Sequence, residues 1–343
     1  MTLSCQDILN ELQARIRNIY LEPHCSGPHT KGGARLFHYT DASGLTGIFR
    51  SGTLWATNLA FLNDPRELSY GKAFCRECLE VRSRGSDSKM PNVFKSALEA
   101  IDRHADILFA YELQMASCLS TQGDLLSQWR AYANFGQGFS IGFDSHRLLH
   151  VLVRQCKDPE STMEPNFWPC RIVYGELDKK TLLEKIVTLT LEYHAQFRDT
   201  GIQPFEDVEN TLGIYLAQGV ACAAMAFKAP GFQEECEVRL TIANLMELAT
   251  AKTHIAVQGR SQNGRFVTYR EIDLREESGL LPITQIVVGP AMDFDRTRHA
   301  LRAYLRTLGY TEDNGTMPEI IRSATDLAWT RTVGLAETDD AAP

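Results

Sequence analysis

The stretch Gly231 to Leu240, GFQEECEVRL, places two acids directly before a run of alternating apolar and polar residues. Glu235 and Glu237 stand two residues apart, and the alternation continues from Val238 onward. Successive side chains of a strand point to opposite faces, so acids two residues apart share one face. We therefore predict a strand whose opening loop delivers both acids to the mouth of a cleft. An exposed strand edge that uses charge against aggregation produces the same pattern, and the stretch alone leaves both interpretations open.

Patterns typical of strands and helices lie on both sides of this stretch. Arg35 to Thr40, RLFHYT, alternates like a strand, Asp41 or Ser43 is suited to cap the following helix, and Gly52 to end it. Two long helical patterns cover about residues 178–198 and 205–228. Further strands are predicted at 53–57, within 107–121, and at 139–143, 239–243, 266–274, 283–288 and 319–321, with helices at 5–20, 66 onward, 93–104, 125–132 and 295–308.

This order predicts an α+β fold with three parts. Residues 1–30 form an N-terminal helical extension, residues 31–336 form one large domain with a helical insertion at about 178–228, and residues 337–343 form a disordered tail. The spacing of Leu125, Leu126, Trp129 and Tyr132 places these side chains on one helical stripe, which is typical of core packing.

Composition limits the classes of function. The chain has 343 residues and a formal net charge of −8, which argues against a broad basic surface for nucleic acid but allows a local basic groove. A secretory leader and an apolar run of membrane-spanning length are both absent from the sequence, so we expect a cytoplasmic protein without a membrane partner. The nine cysteines indicate reduced thiols, and Cys75 and Cys78 lack the second pair that a zinc site needs, so no metal is predicted.

Three predicted strands end in polar residues: His38 with Thr40, Ser120 with Thr121, and Glu235 with Glu237. This order resembles the ADP-ribosyltransferase superfamily, whose members split NAD in a cleft lined by a first-strand His or Arg, a middle Ser or Tyr, and a late Glu. The resemblance is carried by HYTDASGLTGIFRSGTLWAT at 38–57, SCLSTQGDLLSQWRAY at 117–132, and the aromatic-x-x-Glu-x-Glu order from Phe232 to Glu237. The chain combines a His-type first motif with the Glu-x-Glu motif of the Arg-containing branch.

The chain also resembles a bacterial family of unknown function marked by HYT, FLNDPRE, SQWRAYA and a late ExExR, over most of residues 35–325. Together the two resemblances imply an ADP-ribosyltransferase-like α+β fold, with a split mixed or antiparallel β core, flanking helices and a helical insertion. The implied substrate is NAD.

The resemblance to the transferases implies roles for individual residues. His38, with Thr40 beside it, would hydrogen-bond the adenosine-side ribose, and the backbone of Tyr39 would hold the nicotinamide carboxamide. Glu237 would bind the nicotinamide ribose and stabilise the oxocarbenium-like transition state, and Glu235 would orient or deprotonate the acceptor.

Ser120 and Thr121 would take the place of the middle motif. Trp129 or Tyr132 would stack on the nicotinamide ring, although core packing explains these two aromatic residues at least equally well. Arg239 is interpreted as a member of a structural ion pair rather than as a site residue.

The favoured function is thus an NAD-dependent ADP-ribosyltransferase that modifies a protein or a nucleic acid, as a toxin or a phage-defence effector. With water as acceptor, the same site is an NAD glycohydrolase. A metal-dependent nuclease would use Asp64, Glu67, Glu235 and Glu237 as magnesium ligands, but the sequence shows no accompanying lysine. A non-catalytic binding module on the same fold is the fourth alternative. The oligomeric state and the acceptor are not predicted.

Overall fold

The computed structural model describes residues 5–25, 34–62, 67–85, 91–103, 114–155, 167–200, 205–243, 257–262 and 264–325. The helices in chain order are α1 (Cys5–Cys25), α2 (Ala42–Ser51), α3 (Glu67–Gly85), α4 (Pro91–Arg103), α5 (Leu126–Tyr132), α6 (Ser145–Gln155), α7 (Glu176–Thr200), α8 (Phe205–Ala224) and α9 (Phe294–Thr307). The strands are β1 (Arg35–Thr40), β2 (Thr53–Asn58), β3 (Gln114–Ser120), β4 (Phe139–Asp144), β5 (Phe167–Arg171), β6 (Glu237–Ala243), β7 (Gln258–Gln262), β8 (Arg265–Asp273), β9 (Ile283–Val288) and β10 (Glu319–Arg322). The protein is therefore α+β, as predicted.

The ten strands form one mixed sheet. Its main path runs β10-β9-β4-β1-β3-β2-β8-β7, while β6 pairs with β3 and β5 pairs with β6. Strands β9 and β10 are parallel, and the other pairs are antiparallel. Strand β6 follows β3 along its whole length, from Gln114 opposite Ala243 to Ser120 opposite Glu237. Because a strand has two edges, β1 and β2 share the remaining edge of β3.

The sharing of one edge by two strands opens a fork in the sheet. Strand β1 pairs with β3 at Phe37 and Ser120, whereas β2 pairs with β3 at Thr57 and Asn58, opposite Ala116 and Met115. The segment of β3 between these pairs, residues 117–119, faces the gap between β1 and β2. The sheet therefore carries two wings, β1-β4-β9-β10 and β2-β8-β7, on opposite sides of this gap.

Helices cover both faces of the sheet. On one face α1, α3, α4, α7 and α8 share a core in which Leu12 and Phe94 are almost fully buried. Gly71 lets α3 approach the end of α8 closely, because a Cβ at this position would overlap the carbonyl oxygen of Ala224. On the other face α2, α6 and α9 pack against the apolar side of the central strands. The predicted N-terminal helix and both long predicted helices thus belong to one packed layer.

Most of these elements agree with the sequence patterns. The capped helix α2 is confirmed, since the Asp41 side chain accepts a hydrogen bond from the amide of Gly44, and Gly52 ends the helix in the left-handed conformation. The sequence patterns did not reveal α6, β5 or β7. The tail predicted at 337–343 lies outside the described residues. Among the described helices, none combines the length and the apolar character that crossing a membrane requires.

Candidate functional site

The two acids of the Glu-x-Glu stretch do not share a strand. Pro230–Glu235 forms a short 3-10 helix, Cys236 adopts the left-handed conformation with φ 48° and ψ 44°, and β6 begins at Glu237. The prediction that both carboxylates lie on one strand face was therefore wrong. The left-handed residue reverses the local direction of the chain, and the two carboxylates still converge on one partner.

That partner is Lys228, which lies between the two acids. Its Nζ donates to Oε2 of Glu235 at 2.6 Å and to Oε2 of Glu237 at 2.8 Å. Arg239 approaches Glu237 from the strand itself, with Nε donating to Oε1 at 2.7 Å and Nη2 donating to Oε2 at 3.3 Å. Arg239 also donates to the carbonyl oxygen of Met225 at 2.9 Å. The predicted structural ion pair of Arg239 is confirmed.

These four side chains form a nearly closed ionic cluster. Lys228, Glu237 and Arg239 are all buried, and Glu235 is half-buried at its rim. Burial alone would raise the pKa of Glu237, but the charges and hydrogen bonds of Arg239 and Lys228 outweigh it and lower this pKa to about 2. Glu237 is therefore a carboxylate at neutral pH, and the cluster contains two positive and two negative charges.

Ser120 and Thr121 are hydrogen-bonded to the backbone of the segment that connects Glu235 to Glu237. The Ser120 hydroxyl donates to the carbonyl oxygen of Glu235 at 2.8 Å, and the Thr121 amide donates to the carbonyl oxygen of Cys236 at 3.0 Å. Neither residue is part of the cavity lining. The Ser120 hydroxyl and the Thr121 amide are thus bound to the neighbouring loop, and the structure does not bring these two predicted NAD-binding residues into the cavity with His38 and Glu237.

His38 lies on β1, which is separated by β3 from the strand that begins with Glu237. Its Nδ1 is 3.1 Å from the carbonyl oxygen of Cys118 on β3. Because a carbonyl oxygen only accepts, Nδ1 carries a hydrogen in this contact, and Nε2 is the acceptor of the neutral ring. Burial lowers the pKa of His38, and the hydrogen bond to Cys118 opposes this change only in part. The imidazole is thus a neutral group that links β1 to β3.

The gap between the wings holds a cavity of about 630 Å³, which is within the range of small-molecule and cofactor sites. Its lining includes the following predicted site residues: His38, Tyr39, Thr40, Tyr132, Glu235 and Glu237. Lys228 and Arg239 line it as well. Ser117 of β3 also lines the cavity; its hydroxyl is buried and has no hydrogen-bond partner within the described part of the chain. A buried hydroxyl without a partner is costly, so a polar ligand group in the fork would relieve this cost.

The three predicted aromatic residues differ in their positions. Trp129 is completely buried, donates from its indole nitrogen to Asp124 at 2.6 Å, and does not line the cavity. Its ring meets Tyr39 edge to face at 5.0 Å, and the Tyr39 hydroxyl donates to the carbonyl oxygen of Gln122. The stacking role predicted for Trp129 is therefore replaced by core packing. Tyr132 lines the cavity, where burial raises the pKa of its hydroxyl.

At the other end of the cavity the lining comes from the wing β2-β8-β7. Trp55, Thr57, Arg260 and Glu271 all belong to this part of the lining. The Trp55 side chain is 42% exposed, and the guanidinium of Arg260 lies 5.0 Å from the centre of its ring. The cavity thus has an acidic and cationic cluster near one end and an aromatic surface with an arginine near the other.

A magnesium site is not supported by the acids of this cluster. Both carboxylates already bind cationic side chains, and the described residues contain no group of three His, Cys, Asp or Glu side chains that could hold a metal ion. Asp64, one of the four acids considered for a nuclease, lies outside the described residues. The lysine that the nuclease hypothesis lacked is present as Lys228, but it occupies the position between the acids.

Sequence patterns missed Lys228, Ser117 and Arg260. Lys228 precedes Glu237 by nine residues and is brought to it by the 3-10 helix and the left-handed Cys236, neither of which has a sequence signal. Ser117 lies inside β3, and no local pattern distinguishes it from the strand end at Ser120. Its place in the lining follows from the fork in the sheet, which determines the part of β3 that faces the cavity.

Comparison with known proteins finds one similarity, which covers part of this region. A family model with the description "Protein of unknown function (DUF2971)" matches residues 128–240. No curated protein and no solved structure matches the chain. The matched range contains Lys228, Glu235, Glu237 and Arg239, and it ends inside β6; the HYT and FLNDPRE strings lie upstream of it. The description of that family names no activity.

Proposed function

We propose that this protein cleaves NAD between nicotinamide and its ribose and transfers the ADP-ribose to a macromolecular acceptor. The observation that carries the proposal is the convergence of His38 and Glu237 on one cavity in the fork of the sheet. These residues come from strands that are 199 positions apart in the sequence, so their meeting is a property of the fold. The fork also supports an ADP-ribosyltransferase-like architecture, in which the substrate lies between two wings of a split sheet.

Glu237 has the properties that the acid in this reaction needs. Cleavage of the glycosidic bond develops positive charge on the ribose, and a fixed carboxylate interacts more strongly with that charge than with the neutral ground state. Arg239 and Lys228 keep Glu237 ionised and hold both of its oxygens in place. Because the same cations share its charge, Glu237 acts mainly as an oriented acceptor for a ribose hydroxyl.

His38 of β1 and Ser117 of β3 supply further polar groups to the cavity lining. Nε2 of the neutral imidazole is an acceptor, which suits a ribose hydroxyl. Ser117, with its buried hydroxyl, is able to donate to or accept from a polar group of the substrate. Together these side chains satisfy a sugar or amide, while the imidazole adds no positive charge that would repel the developing cation.

The test is incubation of the purified protein with NAD labelled in the adenylate phosphate, with nicotinamide release measured by chromatography. We expect nicotinamide release by the natural protein and its loss in Glu237→Gln. Glu312→Gln, at a remote exposed acid that binds Arg306, is the matched control and keeps full activity. Label on a macromolecule supports transfer, whereas free ADP-ribose identifies a glycohydrolase. Cleavage of a nucleic acid that requires a divalent cation and proceeds without NAD would overturn the proposal in favour of a nuclease.

A further inference from the structure

The wing β2-β8-β7 presents an aromatic and cationic surface to the cavity that NAD cleavage by itself does not require. Trp55 stands opposite Glu271 in the register of β2 and β8, and Thr57 stands opposite Tyr269. Arg260 reaches this face from the neighbouring edge strand β7. We call Trp55, Arg260 and Glu271, which line the cavity, the wing platform; Tyr269 is buried and lies outside the lining. The opposite face of the wing packs into the apolar core.

Arg260 is positioned without a matching anion. Its guanidinium lies 5.0 Å from the ring centre of Trp55 and 5.8 Å from that of Tyr269, and Nη2 donates to the Thr57 hydroxyl at 3.0 Å. It forms no salt bridge with a carboxylate among the described residues, and its buried Nε has no hydrogen-bond partner there. A guanidinium that is fixed by two rings and retains unused donors is suited to a phosphate.

Trp55 and Glu271 provide the contacts that a nucleobase needs. Trp55 is 42% exposed although its ring packs against Tyr269 with 4.5 Å between ring centres, and the exposed part of the ring offers a stacking surface. Base stacking on aromatic side chains does not depend on which base is present. Glu271, beside the ring in the sheet register, accepts hydrogen bonds from an exocyclic amine. Cytosine, adenine and guanine carry such an amine, whereas thymine and uracil do not.

We propose that the wing platform binds a single-stranded nucleic acid, which is the acceptor of the ADP-ribose. The claim that the strand receives ADP-ribose rests on the proposed function, whereas the claim that the strand binds does not. A strand with one base on Trp55 places its phosphate on Arg260, which reaches the cavity from the edge strand β7. The net charge of −8 restricts the attraction to this local surface, so binding is sensitive to salt.

The test measures the fluorescence anisotropy of labelled twelve-nucleotide strands, without NAD, at low salt. We expect oligo(dC) and oligo(dA) to bind more tightly than oligo(dT), and more tightly than a duplex. Arg260→Gln and Trp55→Ala each weaken binding about 10-fold or more, whereas Trp55→Phe retains most of it. Arg265→Gln removes the same charge from an exposed position of the β7–β8 hairpin and weakens binding about 2-fold at most. Thermal unfolding of each variant shows whether the fold is intact.

Several results would overturn the inference. The first is absence of binding, and the second is equal weakening of binding by Arg260→Gln and Arg265→Gln. The third is complete competition by AMP together with a raised KM for NAD in Arg260→Gln, because the wing platform would then bind the adenylate of NAD itself. Capture of a peptide in place of the strand would also overturn it. If strands bind as expected but NAD is not consumed, the binding site stands and the proposed reaction fails, so the two failures are distinguishable.

Discussion

Replacement of Lys228 by methionine tests whether the ammonium group holds the two acids together. Methionine keeps the unbranched apolar part of the side chain and removes the ammonium group from a residue whose side chain is only 7% exposed. Glu237, with a side chain 4% exposed, keeps Arg239 as its partner, while Glu235 loses the shortest contact in the cluster. Removal of one partner from a buried ion pair costs about 3 to 5 kcal/mol, and the remaining arginine places this variant near the lower value.

The dependence on pH follows from the pKa of Glu237. In the natural protein this pKa is lowered to about 2 from 4.5, so the acid contributes stability that is fully present above pH 4.5 and is lost as the pH falls toward 2. At about 1.36 kcal/mol per unit, the contribution is about 3 kcal/mol. In Lys228→Met the pKa in the folded state rises because one cation is absent. The folded variant then binds protons at a higher pH, and its deficit becomes smaller between pH 7.5 and 4.5.

Urea unfolding at these two pH values measures both effects. Lys180→Met is the matched control, because Lys180 makes an exposed ion pair with Glu176 one helical turn away, and we expect no change beyond experimental error. A deficit for Lys228→Met no larger than that of Lys180→Met would refute the reasoning. A deficit that is the same at both pH values would show that lost packing, rather than lost charge, is responsible.

Three further predictions concern the site and the fold. Glu237→Gln lowers the rate of nicotinamide release about 100-fold and also lowers the unfolding midpoint, because two buried cations lose an anion; an active, fully stable variant would contradict this. His38→Ala raises the KM for NAD about 10-fold with a smaller change in kcat, as steady-state kinetics will show, since one hydrogen bond to a ribose is lost. Gly71→Ala destabilises the protein by about 1 to 3 kcal/mol in urea unfolding, because the new Cβ overlaps the carbonyl oxygen of Ala224, whereas Gly47→Ala, with no atom within 4 Å of its Cβ, stabilises α2 by about 0.5 to 1 kcal/mol.

Elements fixed by local chemistry were predictable from the sequence. Strand β1 and its helix α2 follow from a strict alternation, a capping aspartate and a terminal glycine, all within eighteen residues from Arg35 to Gly52. The two long helices of the insertion follow from their apolar periodicity in the same way. Each of these signals is complete within a few turns or strand residues, so the rest of the chain is not needed to interpret it.

The details of the site depend on contacts that no short pattern contains. Cysteine rarely adopts the left-handed conformation, so no sequence pattern indicates that Cys236 separates Glu235 from the strand that begins at Glu237. As a result the acids were predicted on one strand face, although they meet through Lys228. Ser120 and Thr121 were predicted to line the cleft. Instead, the Ser120 hydroxyl and the Thr121 amide donate hydrogen bonds to a neighbouring loop that is distant in sequence. The separation of β1 from β2 is likewise a property of three strands together.

The fork has a mechanical consequence. Because β1 and β2 share one edge of β3, the two wings of the sheet are joined there through β3, by the pairs that Phe37, Thr57 and Asn58 make with it. A molecule bound in the gap contacts both wings and restrains the movement of one wing relative to the other. Occupancy therefore stiffens the scaffold at a distance from the atoms that are touched, and slower amide exchange along β3 would report the arrival of a ligand before any bond is broken.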